Sequence, residues 1–275
     1  MKSSLLLKSL EQNMFNFFKK KKVQESEECE IQPTLESYSF DDVTPIASYF
    51  KEQTGVNFDK QLTILKNKMS AFCMKRGYKN FNECLQFIVK DKLTTQELID
   101  YLTVNETYFN REYKQLEKLV EDIKTVQTPV HILCAPCASG EEVYSIVIAL
   151  LEANISAQKF SILGIDINEQ VIEKAKNAVY NERNVQNLSQ ELREKYFYKE
   201  ESSYILKAEA KNSTEFKKIN IFDAEFLNLG KFDFIFSRNM LIYFDKETKS
   251  KAKNILQSML KEPTREIFFG HADLF

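Results

Sequence analysis

Past Pro129 the chain alternates apolar strands with helices, and this alternation confines it to one class of architecture. Val130-His131-Ile132-Leu133-Cys134 reads as a buried strand and residues 141–152 as a helix. Residues 160–167 read as a second strand and 169–178 as a second helix. Strand, helix and strand follow at 232–237, 246–261 and 266–269. Parallel strands need a long crossover, usually helical, so this order predicts a parallel α/β sheet. Residues 203–211 and 215–221 also read as extended. The first is expected to be a small inserted β-subdomain, about residues 196–213, and the second a strand of the main sheet.

Upstream the hydrophobic period is helical. Residues 43–124 predict an all-α N-terminal domain, and residues 129–275 the α/β domain. Pro45 suits the first turn of a helix after Thr44. Apolar residues recur at helical spacing from Phe58 to Met69, and Gly77 stops that helix. Residues 81–90 carry Phe81, Leu85 and Ile88 on one stripe, and Thr94 or Thr95 is expected to cap the next helix. A further helix over 113–123 faces inward with Leu116, Leu119, Val120 and Ile123.

Composition excludes several partners. The 38 basic and 40 acidic residues leave a formal charge of −2, so no net positive field for nucleic acid exists and no nucleic-acid partner is expected. No apolar stretch approaches the roughly 18 residues that span a membrane. Five sparse cysteines, an odd count, do not form a secreted disulfide framework. No secretory signal is evident, and a cytoplasmic location is expected. Residues 1–42 read as a flexible extension in which Phe17-Phe18 precede Lys19 to Lys22. A tail and linker is preferred there over an amphipathic anchor, because four lysines attract a membrane only marginally.

Four clusters carry polar chemistry. Cys137-Ala138-Ser139-Gly140 leads into a helix, where small side chains and free N–H groups let a ligand approach. Glu141 and Glu142 in that first turn would repel a pyrophosphate but suit a ligand with positive charge, such as S-adenosylmethionine; simple helix stabilisation is the bland alternative. Asp166 ends the second strand, where doubly wound sheets bind the ribose hydroxyls of adenosine cofactors. Asn168 is the better helix cap, which leaves Asp166 for the ribose. Arg238, Asn239 and Tyr243 follow a buried strand and so sit at the site mouth. Asn105-Glu106-Thr107-Tyr108-Phe109-Asn110-Arg111 lies between two helices. Cys134-Ala135-Pro136-Cys137 offers a rival redox or zinc reading, against buried strand-end cysteines.

Together these clusters resemble the CheR-type chemotaxis receptor methyltransferases over about residues 43–275. Asn105 to Arg111 is similar to that family's N-x-T-x-F-F-R, and Cys137 to Ser145 to its C-S-T-G-E-E-P-Y-S. Ile165-Asp166-Ile167 stands for T-D-I, and Ser237 to Phe244 is close to C-R-N-V-x-I-Y-F. Gly270-His271 matches a G-H after the fifth strand. The resemblance implies a class I, Rossmann-like methyltransferase sheet that binds S-adenosylmethionine without a metal. It implies methylation of glutamates on the cytoplasmic helices of chemotaxis receptors, giving methyl esters for sensory adaptation. A cofactor-binding signalling module without turnover is the alternative. By motif, Asn105, Thr107 and Arg111 would line the cofactor site, Glu141 would hold the methionine end and Asp166 the ribose. Asn220 and Ile221 would flank the adenine, Arg238 and Asn239 would lie beneath the cofactor, and Tyr243 beside the methyl group. Tyr243 and Arg111 are the expected catalytic pair.

Three departures stand out. Asn110 replaces the second Phe of F-F-R. Ala71, Phe72 and Met74 occupy positions that are often basic in the family's receptor-docking helix, while Lys60, Lys66, Lys68, Lys75 and Arg76 remain. The family's closing strands after residue 269 are not evident, which would leave residues 266–269 as an apolar sheet edge. Glu200-Glu201-Ser202-Ser203-Tyr204 lacks a glycine-bearing loop, so no peptide tether to the receptor is expected. Contact with a membrane would be indirect, through the receptor.

Overall fold

A computed structural model describes residues 39–274. The extension expected over 1–42 lies almost wholly outside the described residues. Five helices come first: α1 (Thr44–Thr54), α2 (Leu62–Lys75), α3 (Phe81–Lys90), α4 (Lys92–Leu102) and α5 (Tyr113–Thr125). The first four share a core of Ile46, Phe50, Leu65, Met69, Cys84, Ile88 and Leu98. On α3 Phe81 and Ile88 are buried as expected, Leu85 packs partly buried against the same core, and Cys84 is fully buried beside them. Gly55, at φ 78°, closes α1 with its N–H on the Lys51 carbonyl. The cap of α4 is Asp91 rather than Thr94 or Thr95. Its carboxylate accepts the N–H groups of Leu93 and Thr94 at 3.3 and 3.0 Å. Thr95 instead turns its hydroxyl back to the Ile88 carbonyl, 2.6 Å away. A carboxylate satisfies two orphan donors at once, so it starts the helix earlier than either threonine could.

The second part runs β1 (Val130–Cys134), α6 (Glu141–Glu152), β2 (Phe160–Asp166), α7 (Glu169–Asn177), β3 (Val179–Asn181), α8 (Glu182–Val185) and α9 (Gln190–Tyr196). It continues through β4 (Phe197–Glu200), β5 (Ser203–Leu206), β6 (Thr214–Lys218), α10 (Ala224–Leu227), β7 (Phe234–Ser237), α11 (Lys246–Ser258) and β8 (Phe268–Phe269). β6, β2, β1, β7 and β8 form one sheet in that order, every pair parallel. Successive residues along β1 and just past it serve opposite faces: Ile132 and Cys134 join one core, Leu133 and Ala135 the other. This double burial is why Ile132-Leu133-Cys134 reads as an unbroken apolar run, with only His131 exposed. The strand order reverses at β1, so the crevice between the carboxyl ends of β1 and β7 is the topological switch point where such sheets hold ligands.

The inserted β-subdomain is larger than expected. It is an antiparallel sheet of order β3-β5-β4, and it begins at Val179 rather than near residue 196. Three-residue β3 is too short for its sequence to show a period; Val179 becomes a strand only by pairing with distant Ile205. Phe109 fastens the preceding polar segment to this sheet. It is fully buried, with edge-on contacts to Tyr180 at 4.9 Å and Phe197 at 5.3 Å. Asn110 adopts φ 57° and gives its N–H to Ser145 Oγ at 2.9 Å. Asparagine tolerates that left-handed conformation better than a bulky aromatic does, which accounts for the departure from F-F-R.

β8 ends the described sheet. Its Phe268 stacks on Phe236 at 4.4 Å, and Gln115 of α5 donates to the Phe269 carbonyl at 2.8 Å. Replacing Phe109 with alanine leaves a cavity between two aromatic rings and should cost about 3–5 kcal/mol, read as a lower urea midpoint.

Candidate active site

The turn between β1 and α6 carries the most unusual electrostatics. Gly140, at φ 91°, passes the chain into α6 with no room to spare: a Cβ there would meet Ala175 at 3.0 Å. Glu141 follows, wholly buried. Its carboxylate accepts Ser139 Oγ at 2.8 Å and Asn184 Nδ2 at 2.7 Å. Burial pushes its carboxyl up to about 7, against the pull of those donors and of Lys174. Asp166, at the end of β2, accepts the N–H groups of Ala138 at 3.0 Å and Asn168 at 2.9 Å. Burial raises it to about 6. Asn168 caps α7 as expected, accepting the Val171 N–H at 3.0 Å, and its amide donates to Thr103 Oγ1 at 2.7 Å.

At the end of β7, Arg238 is buried and pairs through Nε with Glu142 of α6. Its Nη1 donates to the Arg111 carbonyl at 2.5 Å. One guanidinium thus ties the β7 terminus to the start of α6 and to the 105–112 segment. Arg111 is half-buried, stacks on the Tyr108 ring at 5.5 Å and donates to the Glu106 carbonyl at 3.3 Å. Tyr243 is half-buried; desolvation raises its hydroxyl, and the charge of nearby Arg111 opposes the shift. Its carbonyl accepts the Asn57 N–H at 2.8 Å, joining the turn to the loop after α1. Asn239 adopts φ 59°, and its N–H is held by Asp273. Asp273 also accepts the N–H groups of Ile242 and Gly270, each at 3.2 Å.

Arg111, Glu141, Asp166, Arg238, Asn239 and Tyr243 therefore gather at the carboxyl edge of the sheet. Asn105 and Thr107 lie half-buried in the segment whose Arg111 carbonyl Arg238 holds. Asn220 and Ile221 follow β6, where the Ile219 N–H reaches the Asp166 carbonyl at 3.0 Å. The Asn220 side chain is turned to α1, donating to the Gln53 carbonyl at 2.7 Å, and Ile221 is buried. Asn184 and Asp273 carry no sequence signal that marks them as site residues. Glu142 was visible as a helix-start acid, but only folding reveals that its partner is Arg238.

The thiols favour the bland reading. Cys134 and Cys137 are free and buried, and burial pushes both well above the ordinary thiol range, opposite to a reactive thiolate. Among the described residues no group of three or more His, Cys, Asp or Glu is placed to hold a metal.

A doubly wound parallel sheet with buried carboxylates at its switch point, and no glycine-rich pyrophosphate loop, defines a class I S-adenosylmethionine-dependent methyltransferase. The chain belongs to the CheR methyltransferase family: residues 105–275 match that family's S-adenosylmethionine-binding domain. It is similar to the chemotaxis protein methyltransferase of Campylobacter jejuni subsp. jejuni strain 81-176, with 40% identity over 81% of this chain and 84% of that protein. The chemotaxis protein methyltransferase of Borreliella burgdorferi is 32% identical over 85% and 88% of the two chains. Chemotaxis protein methyltransferase 2 of Vibrio cholerae is 35% identical over 82% of each.

The residues fit this cofactor. Two buried carboxylates near one helix start suit an ammonium and a pair of hydroxyls and would repel a phosphate. Ser237 Oγ and Asn239 Oδ1, at the end of β7, are buried polar atoms without a hydrogen-bond partner, which leaves polar capacity at the strand end where the ligand would sit.

Raised carboxyls have a consequence for stability. Glu141 and Asp166 bind protons more tightly folded than unfolded, so their contribution is complete below their unfolded pKa values. It is lost as pH rises through about 6 for Asp166 and about 7 for Glu141. For this pair, the ligand-free protein is less stable at about pH 8 than at about pH 5.5. Glu141→Gln removes its share of that slope and should raise the urea midpoint at the higher pH.

Proposed function

We propose that this protein transfers the methyl group of S-adenosylmethionine to glutamate side chains on the cytoplasmic helices of chemotaxis receptors, working in the cytoplasm. The observation that carries the reading is the convergence of Glu141, Asp166, Arg238 and the half-buried pair Arg111 and Tyr243 on one sheet edge, in a CheR-family chain. Names of the relatives support the chemotaxis setting. Residues 43–124 act as the receptor-facing helical domain and 129–275 as the catalytic one. Lys66, Lys68 and Lys75 on α2 supply positive charge toward acidic receptor helices. Met74, exposed on the same helix, adds an apolar contact where a further cation would stand.

When bound, S-adenosylmethionine supplies an electrophilic sulfonium methyl. Glu141 would hold its ammonium and Asp166 its ribose hydroxyls, with Asn105, Thr107, Asn220, Ile221, Arg238 and Asn239 completing the enclosure. A receptor glutamate has a reference pKa of about 4.3 and arrives ionised, so no general base is needed. The protein's work is alignment and exclusion of water. Tyr243 donates its hydroxyl to the incoming carboxylate, and Arg111 anchors either that carboxylate or the cofactor's own. Neutralising a receptor carboxylate as its methyl ester lowers repulsion within a helical bundle and biases its signalling state.

Calorimetric titration with S-adenosylhomocysteine should give micromolar binding, about −8 kcal/mol, abolished by Asp166→Ala. A folded protein that binds none would sink the cofactor assignment. Tyr243→Phe should lower kcat about tenfold, the loss of one hydrogen bond to charge, while leaving that affinity nearly unchanged. Label transferred to a receptor cytoplasmic fragment should be released by base as methanol; base-stable label would exclude a glutamyl ester.

A further inference from the structure

Asn184 lies in α8, within the inserted segment and outside the four polar clusters of the sequence, yet it reaches the centre of the site. Its Nδ2 donates to Glu141 Oε1 at 2.7 Å. Its own placement is fixed on three sides. Asn184 Oδ1 accepts the Asn181 N–H, and Asn181 Oδ1 accepts the Asn184 N–H, each at 3.1 Å. The Asn184 carbonyl accepts the Phe109 N–H at 2.9 Å. Because Oδ1 is engaged by an N–H group, the amide's donor end must face the carboxylate.

We propose that Asn184 is a positioning residue for the Glu141 carboxylate, and that through it the inserted β-subdomain sets how strongly the cofactor's ammonium is held. The proposal rests on the reading that Glu141 holds the methionine end. A buried carboxylate keeps its charge only while donors compensate the lost water. The groups facing Glu141 are few. Ser139 of its own loop donates to both carboxylate oxygens, at 3.0 and 2.8 Å. Lys174 of α7 contributes a favourable charge, and buried Tyr180 of β3 stands nearby with its hydroxyl on the Ser139 carbonyl at 2.9 Å. Asn184 is the donor that comes from outside the β1–α6 unit. Removing it lets the carboxyl take up a proton at higher pH, so near neutrality a larger share of the protein presents a neutral acid to the ammonium. Raising the pH restores the charge and the binding.

The test is S-adenosylhomocysteine titration of the full chain across about pH 6.5 to 8.5, with wild type, Asn184→Ala, Asn184→Ser and Glu141→Gln. Loss of one charge-assisted hydrogen bond predicts about tenfold weaker binding by Asn184→Ala at pH near 7. Most of that deficit should be regained at the alkaline end, where wild type changes less. Asn184→Ser keeps a hydroxyl beside the Asn181 N–H but is too short to reach Glu141. It should follow the alanine variant, and it carries the test if the alanine variant does not fold. Wild-type affinity at every pH, or a deficit that ignores pH, overturns the proposal. Unchanged binding by Glu141→Gln instead overturns the assignment of Glu141. Loss in Glu141→Gln with none in the Asn184 variants refutes the role of Asn184 alone.

Discussion

The buried pair between Arg238 and Glu142 is the interaction on which the rest of the site depends. It joins the end of a central strand to the first turn of the helix after β1, and Arg238 then reaches the Arg111 carbonyl. Three segments remote in sequence are thus held by one side chain. Taking a single partner away from such a pair leaves an uncompensated buried charge, a loss of about 3–5 kcal/mol. Burial pushes the Glu142 carboxyl up while Arg238 opposes it, so the pair is costly as well as specific. Its value lies in geometry: with α6 anchored, the adjacent Glu141 is aimed.

On the proposed reading, the same low-dielectric edge gives the site a physical basis for preferring a cation. Glu141 and Asp166 are both raised by burial, so each is held short of full charge until a complementary ligand arrives. A cationic, hydroxyl-bearing ligand relieves that cost, whereas an anion adds to it. Small residues let the chain turn tightly there, and Asp273 braces the opposite wall by gathering the N–H groups of Asn239, Ile242 and Gly270. The wall that carries Tyr243 is thereby tied to the segment after β8.

Much of this was legible in the residues. The β1 strand and the α6 helix read from the sequence with their observed limits, because most residues of each are buried. The placement of Asp166 and Arg238 at the carboxyl ends of β2 and β7 was legible because each follows directly from an apolar strand. The cap of α4 is not legible, because nothing local ranks Asp91 above Thr94; the carboxylate's second hydrogen bond decides it. β3 was missed because a three-residue strand has no period to read, and Asn184 was missed with it.

What the sequence by itself determined is the class of fold and the residues at the ends of its strands: alternating strands and helices, acids at a helix start, a strand running into Arg-Asn. These are local, since each follows from side chains within a turn or a strand of one another. Tertiary structure alone decided the partnerships, namely Glu142 with Arg238, Asn184 with Glu141, and Phe109 with Tyr180 and Phe197. Each joins residues from separate elements, and the energy that selects it comes from burial. Desolvation makes an unpaired charge or an open aromatic face intolerable only after the chain has closed around it.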